Sequence, residues 1–416
     1  MTVGLEPDTW TELPAKKTTP PSMRMSAMDQ TVSNPLLLSR HTPLLLCLSH
    51  LRWDFVFQRP QHLMTRAAAT CRVVFFEEPL FEPVAVPVLR RRSVASNLDV
   101  VTPMLPIGYP SSATDQTLTD LLEDLVAGID HDHLVTWYYT PMALKFSAGL
   151  EEDVCVYDCM DELSAFKNAP AELTKLEHDL FERADVVFTG GNSLYQAKRS
   201  QHPSVHAFPS SIDTTHFQKA RRPQPDPADQ QAIARPRVGF MGVIDERFDI
   251  DLVARTAEAM PDVQFITIGP VVKIDPASLP RRPNLHWLGP KRYAELPSYM
   301  AGWDVGWMPF ALNEATRFIS PTKTPEFLAG GLPVISTAIV DVVQSYGRRG
   351  LVRIADADSM SSALRSAIGT RGGGLAAADA FLARSSWDST WNAMADLVET
   401  ATITTQAPAG AVVGYV

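Results

Sequence analysis

From Thr42 onward, short apolar runs alternate with amphipathic stretches. The run "PLLLCLSH", starting at Pro43, is apolar at nearly every position, the pattern of a strand covered on both faces. "RPQHLMTRAAAT" then predicts a helix, with Pro60 suited to its first turn. "CRVVFFEEP" predicts the next strand, and "LTDLLEDLVAGI" an amphipathic helix with leucines at helical spacing. "HLVTWYYTP" and "VCVYDCMDE" are strands that end in polar residues. "AELTKLEHDLFERA" predicts a helix, "DVVFTGG" a strand, "SLYQAKRSQ" a helix and "VHAFPSSID" a strand leading out.

The pattern then breaks. "TTHFQKARRPQPDPADQQAIARP" is Pro-rich and polar and reads as a linker. A second alternation opens at "RVGFMGVID". It continues through "DIDLVARTAEAM" (helix), "VQFITIGP" and "LHWLGP" (strands), "AELPSYMAGW" (helix) and "DVGWMPF" (strand). "FISPTKTPEFLAGGLPVIST" predicts a helix start, a short helix, a Gly-Gly turn and a buried strand. The predicted fold class is therefore α/β: two Rossmann-like, doubly wound parallel sheets facing each other across a cleft. The boundaries are a disordered tail over 1–41, a first domain over 42–218 and a linker over 219–235. A second domain covers 236–375, C-terminal helices 376–402 and a further tail 403–416.

Composition narrows the picture without naming a chemistry. At 416 residues the chain exceeds one ordinary core. A net charge of −10 argues against nucleic acid as a partner held by bulk charge. No apolar run approaches the roughly 20 residues of a membrane-spanning helix, and the acidic, apolar-poor start does not read as a signal peptide. Cys47, Cys71, Cys155 and Cys159 lack zinc spacing and are expected as buried free thiols.

In open α/β sheets, ligands bind beyond the carboxyl ends of the strands, so the loops after strands hold the candidate chemistry. In "SPTKTPE", Ser320 suits an N-cap and Pro321 the first helical position. Free amides at a helix start attract anions, and Lys323 adds a full positive charge. Ser320, Thr322 and Lys323 are thus expected around a phosphate-bearing ligand. The bland alternative is a surface pair of Lys323 with Glu326, contributing about 0.3–0.5 kcal/mol. In "VGFMGVIDERFDID", Arg247 is the only cation after the strand and its planar fork suits phosphate. A surface pairing with Asp245 or Asp249 is the alternative. Asp54, Gln58, Arg59 and His62 cluster where a loop meets a helix, and His62 is as readily a packing residue. Asp158, Asp161 and Glu162 follow a strand and serve either as helix caps or as substrate contacts.

Five stretches resemble, in order, segments of bacterial glycosyltransferases of the GT-B fold: "HLRWDFVFQRPQHLMTRAA", "VYDCMDE", "ADVVFTGGNSLYQAKR", "FPSSIDTTHF" and "PFALNEATRFISPTKTPEFLAGGLPVIST". They are most similar to a family 4-like branch that includes teichuronic-acid-type and other cell-surface polysaccharide enzymes. The resemblance covers roughly Thr42 to Thr400. It departs at one point: the fuller family pattern has two glutamates separated by seven residues, and Glu326 matches the second while Phe318 stands at the first.

The resemblance implies a glycosyltransferase that moves a sugar from a nucleoside-diphosphate donor, a UDP-sugar, to a hydroxyl of a glycan or lipid-linked acceptor, with retention of anomeric configuration. It implies that Glu326 receives the ribose hydroxyls and that Lys323 and Arg247 hold the diphosphate. It puts Gly242 near the donor phosphates and Gly269 and Gly289 in loops that hold the base. Asp54, Gln58, Arg59, His62, Asp158 and Asp161 fall on the acceptor side, Asp54 orienting an acceptor hydroxyl and Arg59 reaching a phosphate. It implies no metal and no cofactor, and a C-terminal helix that crosses back to the first domain. The expected location is cytoplasmic, with Arg90, Arg91 and Arg92 of "VLRRRSVAS" either touching an anionic membrane or lying in a plain solvated loop. The competing readings are a UDP-sugar epimerase of the same fold and a catalytically silent scaffold.

Overall fold

The computed structural model describes residues 42–406; the tails expected over 1–41 and past 406 lie outside the described residues. The first domain is built on β1 (Leu44–Ser49), β2 (Arg72–Glu77), β3 (Leu80–Glu82), β4 (Val88–Ala95), β5 (Leu98–Pro106), β6 (Leu134–Tyr138), β7 (Val154–Cys159), β8 (Val186–Thr189) and β9 (Val205–Ala207). They form one sheet in the order β3-β5-β2-β1-β6-β7-β8-β9, with β4 beside β5. All neighbours are parallel except β4 and β5. The expectation of a purely parallel sheet fails there because Ser96 and Asn97 close a tight hairpin. The arginine run that read as a loop is an exposed edge strand, where charge discourages pairing with another chain.

β1 shows why the sheet is buried on both faces. Leu44, Leu46 and Leu48 enter one hydrophobic cluster, and Leu45 and Cys47 enter the cluster on the other side. Burying one such leucine contributes roughly 1.5–3 kcal/mol. The second cluster also holds Trp387, Trp391 and Met394, so the C-terminal helix Trp387–Gln406 packs on the first domain, as expected of a crossing helix. All four cysteines are buried free thiols.

The second domain carries β10 (Arg237–Met241), β11 (Gln264–Ile268), β12 (Leu285–Trp287), β13 (Val305–Met308), β14 (Val334–Ser336) and β15 (Arg353–Ile354). Their order is β12-β11-β10-β13-β14-β15, all parallel. This is the doubly wound order whose direction of winding reverses between β10 and β13. In the first sheet the reversal lies between β1 and β6. Both crevices open into the cleft between the domains.

The segment expected as a linker is pinned to the second domain. Gln230 is fully buried and accepts from Trp303 Nε1 at 2.8 Å, and Asp226 pairs with Arg237 at 2.7 Å. Two glycines set the packing beneath the cleft. A Cβ on Gly239 would overlap the Trp303 ring. A Cβ on Gly306 would come within 2.7 Å of Phe327 Cγ, so the bare backbone of β13 lets the helix Lys323–Ala329 seat close to the sheet. No helix among the described residues is long and apolar enough to cross a membrane.

Candidate active site

The loops after β10 and β13 are stitched together at the reversal point. Ala311 N–H donates to the Arg247 carbonyl and Asp249 N–H to the Pro309 carbonyl, each at 2.8 Å. Asp245 fixes the Arg247 guanidinium through Nε (3.0 and 3.1 Å) and Nη2 (2.7 Å). Arg247 is thereby paired as one of its two readings anticipated, but in the wall of the cleft. It borders a small cavity of about 130 Å³ together with Gln58, Asp161, Gly242, Ser320, Thr322 and Lys323. The first domain supplies Gln58 and Asp161; the second supplies the rest.

The helix bearing the expected donor grip begins at Lys323, with Thr322 at its N-cap position and no side-chain cap. Ser320 is not the cap and Pro321 is not its first residue. Pro325, whose fixed φ suits the first turn of a helix, occupies that turn instead. The helix has seven residues, so charge rather than a long dipole dominates its start. Lys323 Nζ donates to Glu326 Oε2 at 2.9 Å, and both side chains are largely buried, at 17% and 9% exposure. The pair is no solvated surface bridge. Burial pushes the Glu326 carboxyl up, against the pull of Lys323. The lysine stem passes over the loop after β10: a Cβ on Gly242 would lie 3.7 Å from Lys323 Cε.

Gly242, Gly269 and Gly289 meet at the ends of three neighbouring strands. Gly242 N–H donates to the Ile268 carbonyl (2.9 Å) and Gly269 N–H to the Gly289 carbonyl (3.0 Å). Gly269 has φ +148° and a Cβ there would overlap the Gly242 carbonyl, so its role is close backbone approach. Only Gly242 of the three borders the small cavity.

Several acceptor-side expectations are corrected. Arg59 is 1% exposed and Asp158 0%; Arg59 Nε meets both carboxylate oxygens (3.0 and 2.9 Å), and Nη1 donates to the Phe208 carbonyl at 2.7 Å. Arg59 borders the cavity floor, but its charge is held by Asp158, so it does not reach out as a phosphate ligand, and Asp158 is neither a cap nor a contact. Glu162 is likewise taken up by Lys198 at 2.8 Å. Asp54 is exposed and paired with Arg92, outside both cavities of the cleft. His62 stacks on Trp387 (4.5 Å between rings, 10° between planes) and packs edge-on to Phe57 and Tyr293, an aromatic seam between the domains. The membrane-facing arginines are also committed: Arg90 pairs with Glu82, Arg91 with Asp99 and Arg92 with Asp54. Contact with an anionic membrane through this strand finds no support.

Asp161 stays in the cleft. It borders the small cavity and a larger neighbour of about 640 Å³, and burial raises its carboxyl pKa while Arg247 counters. Phe318, at the position of the absent glutamate, packs against the first domain's core, with Arg317 stacked 5.1 Å from its ring. The loop is thus anchored by apolar contact where the fuller pattern has a carboxylate. Sequence reasoning missed His50, the first residue past β1, which borders the larger cavity. Burial, with Lys273 adding repulsion, lowers its pKa to about 4. Its position at a strand end was the available signal. It also missed Lys273 and Phe166, whose sequence contexts carry no motif. Among the described residues, the one group of metal-ligating side chains is His178, Asp179 and Glu182, which borders neither cleft cavity.

No family model matches the chain. It is 28% identical over 237 residues to TuaH of Bacillus subtilis (strain 168), a proposed teichuronic acid biosynthesis glycosyltransferase; the match covers 53% of this chain and 59% of that relative. The chain therefore spans less than two thirds of the relative it matches. Among solved structures, the sucrose-phosphate synthase of Thermosynechococcus elongatus superimposes with a TM-score of 0.65 at 15% identity, over 87% of this chain and 100% of that one. An Escherichia coli structure described as trehalose-6-phosphate bound with UDP-2-fluoro glucose superimposes with a TM-score of 0.63 at 11% identity, over 86% and 99%. At these identities the structural likeness shows the fold, two doubly wound sheets around a cleft, which is the GT-B architecture the sequence led us to expect.

Proposed function

We propose that the protein is a glycosyltransferase that moves a sugar from a UDP-sugar to a hydroxyl of a glycan or lipid-linked acceptor, in the cytoplasm and in cell-surface polysaccharide synthesis. The observation that carries this reading is the convergence of Lys323 and Arg247 on one cavity at the reversal point of the second sheet, with Glu326 held one turn from Lys323. Two cations on neighbouring loops match a diphosphate; a carboxylate beside them matches a ribose diol. The likeness to TuaH supports glycosyl transfer, and the UDP-2-fluoro glucose of the E. coli structure supports the choice of donor.

In the proposed reaction the bond between the anomeric carbon and the diphosphate oxygen breaks, and the electron pair leaves with the diphosphate. The acceptor oxygen bonds to the anomeric carbon on the same face, so configuration is retained, and its proton passes to the departing diphosphate oxygen. Lys323 and Arg247 face the charge that grows on the leaving group, usually the largest catalytic contribution. Asp161, at the junction of the two cavities, orients the acceptor hydroxyl in place of Asp54. With two fixed cations on the diphosphate, no bound metal or cofactor is required.

The test is a panel of nucleoside diphosphates and UDP-sugars in thermal unfolding, followed by transfer and donor-hydrolysis assays with and without EDTA. A ligand at a hundred times its dissociation constant adds about 2.7 kcal/mol of stability. Stabilisation by UDP, with turnover that survives EDTA, is expected. Binding without hydrolysis or transfer points to a silent scaffold, and loss of turnover to chelation with rescue by a divalent ion rejects the metal-free mechanism.

A further inference from the structure

The loop after β7 carries Asp161 to the border of both cavities. Among the described residues the Asp161 carboxylate has no hydrogen bond or ion pair of its own; Arg247, Asp245, Lys273 and Arg59 act on it through charge. Its placing therefore falls to the residues on either side. Before it, Cys159 Sγ donates to the Asp161 carbonyl at 3.6 Å, and Met160 rests on Gly190, where a Cβ would overlap the Met160 carbonyl. After it comes Glu162, whose Oε1 accepts from Ser164 Oγ at 2.7 Å and whose Oε2 pairs with Lys198 Nζ at 2.8 Å. Lys198 ends the helix Asn192–Lys198 and is also bound by Glu177 of the helix Leu173–Arg183, at 2.7 Å. The other oxygen of Glu177 accepts from the Tyr157 hydroxyl at 2.8 Å.

The three charged side chains of this cluster are largely buried. Two carboxylates around one ammonium are a poor source of stability. Taking each ion out of water offsets much of the attraction, and well-packed apolar residues of the same volume often hold such a site as well or better. What the charges supply is direction: Lys198 receives Glu162 in one geometry and so fixes the backbone one residue past Asp161. The farther part of the loop is held differently. Lys167 N–H donates to Glu246 of the second domain at 3.3 Å, and the Phe166 ring centre lies 4.4 Å from Lys273 Nζ and 5.3 Å from Arg247 Cζ. Those contacts need the second domain; the bridge from Glu162 to Lys198 does not.

We propose that Glu162 and Lys198 are positioning residues: their buried bridge sets Asp161 in the cleft from within the first domain. Glu177 holds Lys198 rather than the loop. The proposal rests on the glycosyltransferase reading of Asp161 and goes beyond it by naming what holds that group in place.

The test is a double-mutant cycle on the full chain, read by UDP calorimetry at pH 8. Asp161 borders the small cavity with Lys323 and Arg247, so its charge opposes a diphosphate held there. Asp161→Asn alone should tighten UDP by about tenfold. Glu162→Met cuts the tether and leaves Lys198 paired with Glu177, so no ion is orphaned. In that background Asp161→Asn should change UDP affinity by less than about twofold, because the carboxylate has left its place. Glu162→Gln, which keeps an acceptor for Lys198, should restore the response. Glu177→Gln is the control: Lys198 keeps Glu162 and Tyr157 keeps an acceptor, so the full response should persist. A response that persists in Glu162→Met, or that is lost equally in Glu177→Gln, overturns the proposal, and so does a Glu162→Met chain that thermal unfolding shows to be unfolded, since the bridge would then serve the fold. No response to Asp161→Asn in a parent that binds UDP also overturns it and leaves the donor reading standing. Failure of the parent to bind UDP would instead remove the donor reading, and this proposal with it.

Discussion

Asp341 of the second domain caps a helix of the first. Its carboxylate accepts the backbone N–H groups of Asn192 and Ser193, each at 2.9 Å, at the start of the helix Asn192–Lys198. Gly191 makes the approach possible, because a Cβ there would overlap Asp341 Oδ2 and lie 2.9 Å from Ser320 Cβ. The contact therefore ties the helix Val340–Ser345 of the second domain to the first, with Ser320 close beside Gly191. Asp341→Ala leaves two orphaned donors, and loss of a cap costs about 0.5–2 kcal/mol. Denaturant unfolding should show a loss in that range, and UDP affinity should fall as the walls loosen. A variant as stable as the parent would mean that the cap is solvent-replaceable and does not join the domains.

The meeting of Gly269 with Gly242 predicts a sharper effect. Gly269→Ala forces a methyl group into a backbone carbonyl in a conformation that suits only glycine. The strand ends must separate, at a cost of roughly 1–3 kcal/mol or more. Thermal unfolding checks the loss. Gly289→Ala is the control, because open space surrounds that position and only its φ of +70° opposes a side chain. If Gly269→Ala were as well tolerated as Gly289→Ala, the close approach would not be a constraint.

What could be read from the chain and what could not divide along sequence separation. Most strands of both sheets were legible because each is a contiguous apolar run, β3, β4 and β5 being the exceptions, and Lys323 and Glu326 were legible because both lie in one turn. The pairing of Arg59 with Asp158 spans 99 residues and joins two polar residues that each looked like site groups. Nothing in either neighbourhood says that one neutralises the other. His62 was recognisable as a packing residue, but its partner Trp387 comes from the far end of the chain. The β4–β5 hairpin was hidden by three arginines that mimic a solvated loop. Lys273, Phe166 and His50 join only when the domains face each other.

His62 should make the protein sensitive to acid. Burial lowers its pKa to about 3, with Arg66, Lys323 and His216 adding repulsion. Below the ordinary value of 6.5 the unfolded chain takes up a proton that the folded chain refuses. Stability therefore falls as pH drops from 6.5 towards 3, by about 1.4 kcal/mol per pH unit for this group. Between pH 7 and 5 the loss is about 2 kcal/mol. His62→Phe keeps a ring against Trp387 and removes the titration, so its urea-unfolding free energy should change less over that interval. Equal losses in both proteins would show that His62 is protonated in the fold or exposed to water.

Lys323 and Glu326 should fail in different ways. Glu326→Gln keeps the size and one acceptor oxygen but removes the charge that strengthens hydrogen bonds to ribose. Hydrogen bonds to charged groups contribute about 1.5–3 kcal/mol, so donor affinity should fall by roughly tenfold to over a hundredfold. The same change leaves the Lys323 ammonium without its partner at 2.9 Å, freeing it to follow the diphosphate. Turnover at saturating donor should therefore fall less than affinity. Lys323→Ala removes the cation that meets growing negative charge, so its larger effect belongs on turnover. It also strands a buried carboxylate, which burial already pushes towards protonation; this variant should lose affinity for UDP more than for uridine. Calorimetry with UDP and uridine on both variants, beside initial rates over a range of donor concentration, separates the two residues. If both variants bound UDP and turned over as the parent does, the pair would be a buried structural bridge, and the small cavity would not be the donor site.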